Sequence, residues 1–325
     1  MRPLVCLSLS FCTLVSMCSA QSPGLYSGNR PQSVENGVQI QTAYREDLIA
    51  MEDAIPNKAP VAPKQRRRVL VLCKAAGYVH SSIPLAAETV KAMGEKTGAY
   101  TTTISYDSAS INTANLAQYD AIVLDSTTMA FLDDPNDAAT TEARRHALLD
   151  FVRDGKGLIG IHAAADTYHT DEHVTHAEPV GTWPEFNAMV GGYFKFHWVY
   201  PQVLTVRLDD PGSPINAMFQ GQEFQIHDET YTLVQNSFSR KNVHVLTSID
   251  YAKMSPEDKA QERYKRTDGD YALSWIRREG KGRVFMELLG HSEHIYANTR
   301  MMEHLLAGIQ YGLGDLEADD SPSQK

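Results

Sequence analysis

Three histidines stand just past apolar runs: His80 after VLVLC, His162 after GLIGI and His291 after GRVFMELLG. A fourth, His197, ends GGYFKFH, where two glycines permit close backbone approach. Carboxylates accompany them. Asp166 lies four residues beyond His162, and IHDETY supplies Asp228 and Glu229 beside His227. Imidazole with carboxylate is the equipment of general acid–base catalysis near neutral pH, and equally of a zinc-type site. No spacing here is that of a compact zinc signature such as HExxH, so both chemistries stand open, with His80, His162, His197 and His291 as candidate ligands. A single histidine at a strand end is more often a hydrogen-bonded structural residue. Several at corresponding ends form a candidate site if the fold gathers those ends on one rim.

The segment HTDEHVTH adds His169, His173 and His176. At helical spacing they would share a face, but the flanking threonines and Pro179 predict a loop, with His169 nearest the other candidates. Nucleophilic catalysis has little to draw on: there is no G-x-S-x-G elbow, and Cys73 inside VLVLC reads as a small buried hydrophobe. The GKG at 155–157 reads as a turn and not as a phosphate cradle, so no nucleotide cofactor is expected.

The elements that must position these residues alternate from residue 68 onward. VLVLC, YTTTISY, DAIVLDS and GLIGI predict strands, and helices are predicted over 83–98, behind serines and Pro84, and over 137–153, stopped by Gly155. Such alternation predicts a parallel, doubly wound α/β sheet, in which ligands bind beyond the carboxyl ends of the strands. That is where a core strand would deliver His162. The second half is less regular, with strand candidates at QVLTVRL, ETYTLV, VHVLTSI, YALSWIRRE and GRVFMELLG. The last two flank a Gly-Lys-Gly turn and predict an antiparallel hairpin. A closing helix over 299–311 would bury Met302, Leu305, Leu306 and Ile309.

With 325 residues, 42% of them hydrophobic, the chain suits one sizeable globular domain. Its 40 acidic residues against 30 basic ones deny it the positive field that nucleic acid or an anionic membrane requires, and KQRRR at 64–68 reads as a solvated linker end. Residues 1–20 combine Arg2, an apolar stretch over 4–17 and the small pair Ser19 and Ala20, the pattern of a cleaved export signal for a periplasmic or secreted protein. Lipid attachment at Cys18 is the lesser alternative, since Met17 sits where a small residue is wanted. Three of the four cysteines fall in this segment, leaving Cys73 and no intramolecular disulfide. No later stretch reads as transmembrane. Residues 21–66, polar and broken by Pro56, Pro60 and Pro63, read as an arm and linker with one helix-compatible piece, REDLIAMEDAI, and 315–325 as a disordered acidic tail.

VLVLCKAAGYVHSSIP, GLIGIHAAADTYH, PEFNAMVGGYFKFH, DETY and GRVFMELLGHSEHIY occur in that order. Together they resemble the trehalose-utilisation (ThuA-like) family over residues 67–314. The resemblance implies a flavodoxin-like core, similar to that of class I glutamine amidotransferases, with helices on both faces of a mostly parallel sheet. Those enzymes carry a nucleophilic cysteine on the turn after the strand equivalent to GLIGI; His162 stands there, so amidotransferase chemistry does not follow. Motif by motif, the resemblance implies a pocket of His80, His162, Asp166, His169, His197, Asp228, Glu229 and His291. DGDYALSW departs from the aspartate-histidine-proline that the family commonly shows before this tryptophan, which puts one contact in doubt.

The family's association with bacterial carbohydrate breakdown and keto-sugar processing implies a small carbohydrate ligand. A ketone acidifies the neighbouring C–H, so a base can remove that proton while an imidazole or a divalent metal such as zinc stabilises the oxyanion. On this reading Glu229 is the base, His162 and His291 are acid, electrophile or ligands, and Asp166 belongs to the catalytic set with them. His80, His169, Trp183, Tyr193, His197, Trp198, Asp228 and Tyr231 would contact substrate. Two other readings stay open: a glycoside hydrolase without a keto requirement, and a non-catalytic carbohydrate-binding module that needs the aromatic residues but no base. A homo-oligomer is compatible with all three. The signal reading predicts that the exported chain begins near Gln21. Intact mass checks it; an unprocessed chain contradicts it, and an acylated Cys18 redirects it to the lipoprotein route.

Overall fold

Runs rich in valine, isoleucine and leucine bury both faces at the centre of the molecule, as strands covered by helices must. The computed structural model describes residues 30–198 and 202–324; the segment expected to be an export signal, Cys18 included, lies outside them. In chain order the strands are β1 (Val34–Glu35), β2 (Val38–Gln39), β3 (Arg68–Leu72), β4 (Thr101–Ser105), β5 (Ala121–Asp125), β6 (Gly157–Ile161) and β7 (Phe194–His197). They continue with β8 (Gln202–Leu208), β9 (Phe224–Asp228), β10 (Tyr231–Leu233), β11 (His244–Ile249), β12 (Ala272–Glu279) and β13 (Gly282–Glu287). One nine-stranded sheet has the order β4-β3-β5-β6-β13-β12-β11-β8-β9. Pairing is parallel from β4 to β13, in the flavodoxin-like α/β arrangement expected, and antiparallel from β13 to β9. The predicted hairpin is β12–β13, and its second strand lies parallel to β6, joining the two halves.

The flanking helices follow the sequence pattern. Ile83–Thr97 ends at Gly98, whose φ of 68° suits a residue without Cβ. Ser82, expected as its cap, instead donates its hydroxyl to Gly290 O at 2.9 Å, tying this helix start to the turn that follows β13. Ala138–Arg153 is capped by the Asp137 carboxylate and buries Leu148, Phe151 and Val152. Thr299–Gly312 buries Met302, Leu305, Leu306 and Ile309 against β6 and β13. Among the described residues no helix is long and apolar enough to cross a membrane.

Two departures from expectation concern pairing in the second half. ETYTLV contributes β10, which leaves the main sheet to pair with β7, while FQIHD, not singled out by its pattern, forms the edge strand β9. The tail also departs from the expected disorder. Asp315 pairs with Arg67 at 2.6 Å, Asp320 accepts from Tyr311 Oη at 2.9 Å, and Ser323 N donates to Val243 O at 3.0 Å. Asp315, Glu317 and Asp320, which would repel one another in a free tail, are matched by donors on the body.

The carboxyl ends of β3, β6 and β13 share one rim, and the turn after β13 is tightly constrained. Gly290 has φ 126°, and a Cβ there would stand 2.7 Å from Tyr296 Oη. Gly290→Ala is expected to lower stability by about 1–3 kcal/mol, because both the backbone and the contact resist a side chain. Urea denaturation measures it. Adding Tyr296→Phe should recover part of the loss; full recovery would assign the whole effect to the contact and none to the backbone.

Candidate functional site

At the end of β6 the backbone turns sharply, and His162 takes φ 45°, a left-handed conformation that costs a non-glycine residue energy. The bend aims the ring across the rim. Its Nδ1 lies 2.9 Å from Leu288 O, so Nδ1–H donates there and the lone pair is left on Nε2. That Nε2 is 3.2 Å from Nε2 of His80, which the loop after β3 delivers, and 3.7 Å from Glu229 Oε1, just past β9. His291, following Gly290, brings Nδ1 to 3.2 Å from the same Glu229 oxygen. His197, at the end of β7, places Nδ1 3.3 Å from the other oxygen, Oε2. The four histidines therefore converge, with Glu229 at their centre.

Burial governs the charges. It drives His80 well below its ordinary pKa, reinforced by His162, His291 and His197, and it carries His162 down to about 3, reinforced by His291. Both rings are neutral at physiological pH and keep their lone pairs. Burial pushes the Glu229 carboxyl up, but hydrogen bonding to His291 and electrostatic interaction with the imidazoles of His291, His197 and His162 outweigh it, so Glu229 ionises below the usual range. His291 shows the reverse balance: burial lowers it, the bond to Glu229 and the charges of Glu229 and Asp228 win, and its pKa is raised.

These groups fit a divalent cation. Ligand atoms from His80, His162, Glu229 and His291 all lie within 4.8 Å of one another. The separations of 3.2, 3.7 and 3.2 Å are close to the edge of about 3.4 Å in a tetrahedron of zinc-type bonds. His197, a candidate ligand on sequence grounds, stands outside this set because Glu229 lies between it and the other rings, and the carboxylate takes its place.

His80, His197, Glu229 and His291 line a pocket of about 310 Å³, with His162 buried beneath them. Asp166 and His169 line its wall, with His169 Nε2 2.6 Å from Asp166 Oδ1 and Nδ1 2.9 Å from Thr170 O. Both ring nitrogens face acceptors, so although burial opposes it, the bond and charge of Asp166 raise the His169 pKa. Tyr231 lines the pocket as expected, with Oη 3.5 Å from His80 Nε2. The loop over 170–180 contributes Asp171, Glu172 and His173, and forms one helical turn, Glu172–Thr175.

Other expected contacts lie elsewhere. Asp228 is buried behind the floor, where its carboxylate accepts from the backbone N–H groups of Gly290, His291 and Ser292 at 2.7, 3.2 and 3.0 Å. It positions the turn that carries His291. Trp183 and Trp198 are corrections: Trp183 stacks on Phe186, and Trp198 is fully buried with Nε1 donating to Asp258 O at 2.9 Å. Both indoles satisfy core packing and are outside the pocket lining, as is Tyr193, whose ring stacks 6.2 Å from that of His169. Tyr78 and Phe194 line the pocket without having been singled out. Their signal was proximity, Tyr78 two residues before His80 and Phe194 within GGYFKFH. The unusual DGDYALSW segment is engaged elsewhere, Asp270 with Arg240 and Tyr271 Oη with Glu262.

Residues 68–312 match the ThuA family, described as trehalose utilisation. The chain belongs to the ThuA family. Membership supports a carbohydrate-related role. A ThuA-like protein from Bacteroides uniformis shares the fold, with a TM-score of 0.58 and 22% identity over 81% of this chain and 97% of its own. Another, from Parabacteroides merdae, gives a TM-score of 0.48 and 16% identity over 77% and 90%. No curated protein matches the sequence.

In this ThuA-family chain, Asp228→Asn would set an amide NH2 against a cluster of backbone N–H donors. Stability is expected to fall by about 1–3 kcal/mol, the usual consequence of stranding a buried donor. Urea denaturation checks it, and wild-type stability would show the carboxylate to be dispensable.

Proposed function

We propose that this protein is an exported enzyme acting on a keto-sugar or glycoside, with a divalent cation held by His80, His162, Glu229 and His291. The carrying observation is the convergence of those four donors within 4.8 Å, three of them, His80, Glu229 and His291, lining the pocket and His162 buried beneath it. Its carbohydrate side rests on the family description, trehalose utilisation, and its export on residues 1–22. The pocket is at the small end of ligand sites, which span about 300–1,000 Å³, and suits a small sugar better than a polymer.

A cation such as zinc would supply Lewis-acid stabilisation of negative charge developing on a ketone oxygen. The rest falls to side chains. Glu229, the expected base, is a weakened proton acceptor because its histidine neighbours stabilise the ionised form; it serves better as ligand through Oε1 and as orienter of His197 through Oε2. His197 Nδ1 faces Glu229 and Trp198 O, which leaves a lone pair on Nε2, and its side chain is 45% exposed. It is the group placed to take a proton from carbon. His169, protonated, keeps both N–H groups on Asp166 and Thr170 O and so fixes the Asp166 carboxyl at the pocket wall. Tyr78, Phe194 and Tyr231 supply aromatic surface to the pocket for the apolar side of a sugar. The binding-module reading loses Trp183 and Trp198, two of the aromatic residues it needed.

The test incubates wild type, His197→Gln and Glu229→Gln with glycosides and their keto derivatives, following metal content and product separately. Turnover should vanish on chelation and return with zinc. His197→Gln should keep the metal and lose about a hundredfold to ten-thousandfold in rate, while Glu229→Gln should lose both. A wild type that binds sugars but converts none, with or without divalent metal, would move the assignment to a binding module.

A further inference from the structure

Family similarity begins at residue 68, yet the segment before it grips two loops that carry site residues. Asn36 and Gly37, with φ of 51° and 78°, turn the hairpin β1–β2 back on itself. From its lead-in, Ser33 N donates to Val79 O at 3.0 Å, and Gln32 Oε1 accepts from Val79 N at 3.3 Å. Both backbone polar groups of the residue preceding His80 are thereby held. The Gln39 amide completes the grip, with Nε2 donating to Cys73 O at 2.6 Å and Oε1 accepting from Ala75 N at 3.3 Å. An amide matched to backbone donor and acceptor together stands in for a neighbouring strand. On the other side Arg30 is buried against Asp47 and reaches Glu293, with Nη1 3.3 Å from Oε1, two residues past His291. The helix Arg45–Ala54 packs along the turn Glu293–Ala297.

We propose that residues 30–55 are a positioning strap, which fixes the loops that bring His80 and His291 onto His162 and Glu229; the inference rests on reading these four as a cation site. His162 is fixed by its own elbow and Leu288 O, and Glu229 follows directly on β9. His80 comes from a loop, residues 73–80, that forms neither helix nor strand; Thr128 holds its middle through Ala76 N, Gly77 N and Tyr78 O, and the strap holds its start and the residue next to His80. The strap orders that loop before any ligand arrives, so binding does not carry the entropy loss of ordering it.

The test uses the full mature chain with cobalt(II) as probe, read by calorimetry and visible absorption. Two variants cut the strap: the double change Gln32→Ala with Gln39→Ala, and Arg30→Ala. Each should weaken cobalt binding about ten- to hundredfold, the usual effect of losing outer support around ligands. The absorption bands should weaken as the donor set opens, and Arg30→Lys should recover part of the affinity. Gln310→Ala, which removes both bonds to Val61 away from these loops, is the control: it should lower Tm and leave affinity unchanged. If the double variant does not fold, Gln39→Ala alone carries the test.

Folded variants that bind cobalt as tightly as wild type overturn the strap. Hydrogen exchange of residues 73–80 and 290–297 in metal-free protein gives a readout independent of the cation. Unchanged exchange in the variants also overturns the strap. A wild type that binds no cobalt, with exchange that still rises in the variants, removes the cation reading and leaves the strap standing.

Discussion

A carboxylate buried at the bottom of a pocket has to be compensated, and the Glu229 carboxylate organises this protein for that reason. Water reaches little of it, and histidines from four separate parts of the chain surround it. Each has to be held in turn. Leu288 O fixes the tautomer of His162, and the buried Asp228 collects the backbone N–H groups around His291. Behind the visible pocket lies a second layer whose work is orientation, and that layer uses backbone groups more than side chains.

The mixed sheet makes the gathering possible. Parallel strands point their carboxyl ends the same way, which accounts for His80, His162 and His291. Glu229 comes from the antiparallel half, past the edge strand β9, and His197 from the small β7–β10 pair that folds over the rim. The hairpin β12–β13 lets the two halves meet, since one of its strands belongs to each.

Much of this was legible in the chain. Apolar runs of strand length that end in histidine announce both a buried strand and something chemical at its end, and IHDETY displayed the central carboxylate. The two tryptophans misled because an indole has an apolar body and a polar N–H, and sequence does not tell whether the partner for that N–H is a sugar or Asp258 O. The tail misled for an electrostatic reason: acidity predicts self-repulsion only where no arginine waits, and Arg67 and Arg278 do. The arm carried an Asn-Gly pair between short alternating segments, an ordinary hairpin signal, but strands of two residues are too short for periodicity to register.

The placement of β13 bears on how the molecule comes into being. This strand lies in the middle of the sheet yet is nearly the last to be synthesised, so β6 waits for its neighbour until the antiparallel half exists. Contacts between segments so far apart in the chain form slowly, and they leave strand edges open in the meantime. The donors from residues 80 to 291 cannot meet in a nascent or partly threaded chain, so a cation would have little to hold until the scaffold is complete. Loading of the proposed cation would then be the final step of maturation, in contrast to small zinc domains whose metal drives their folding.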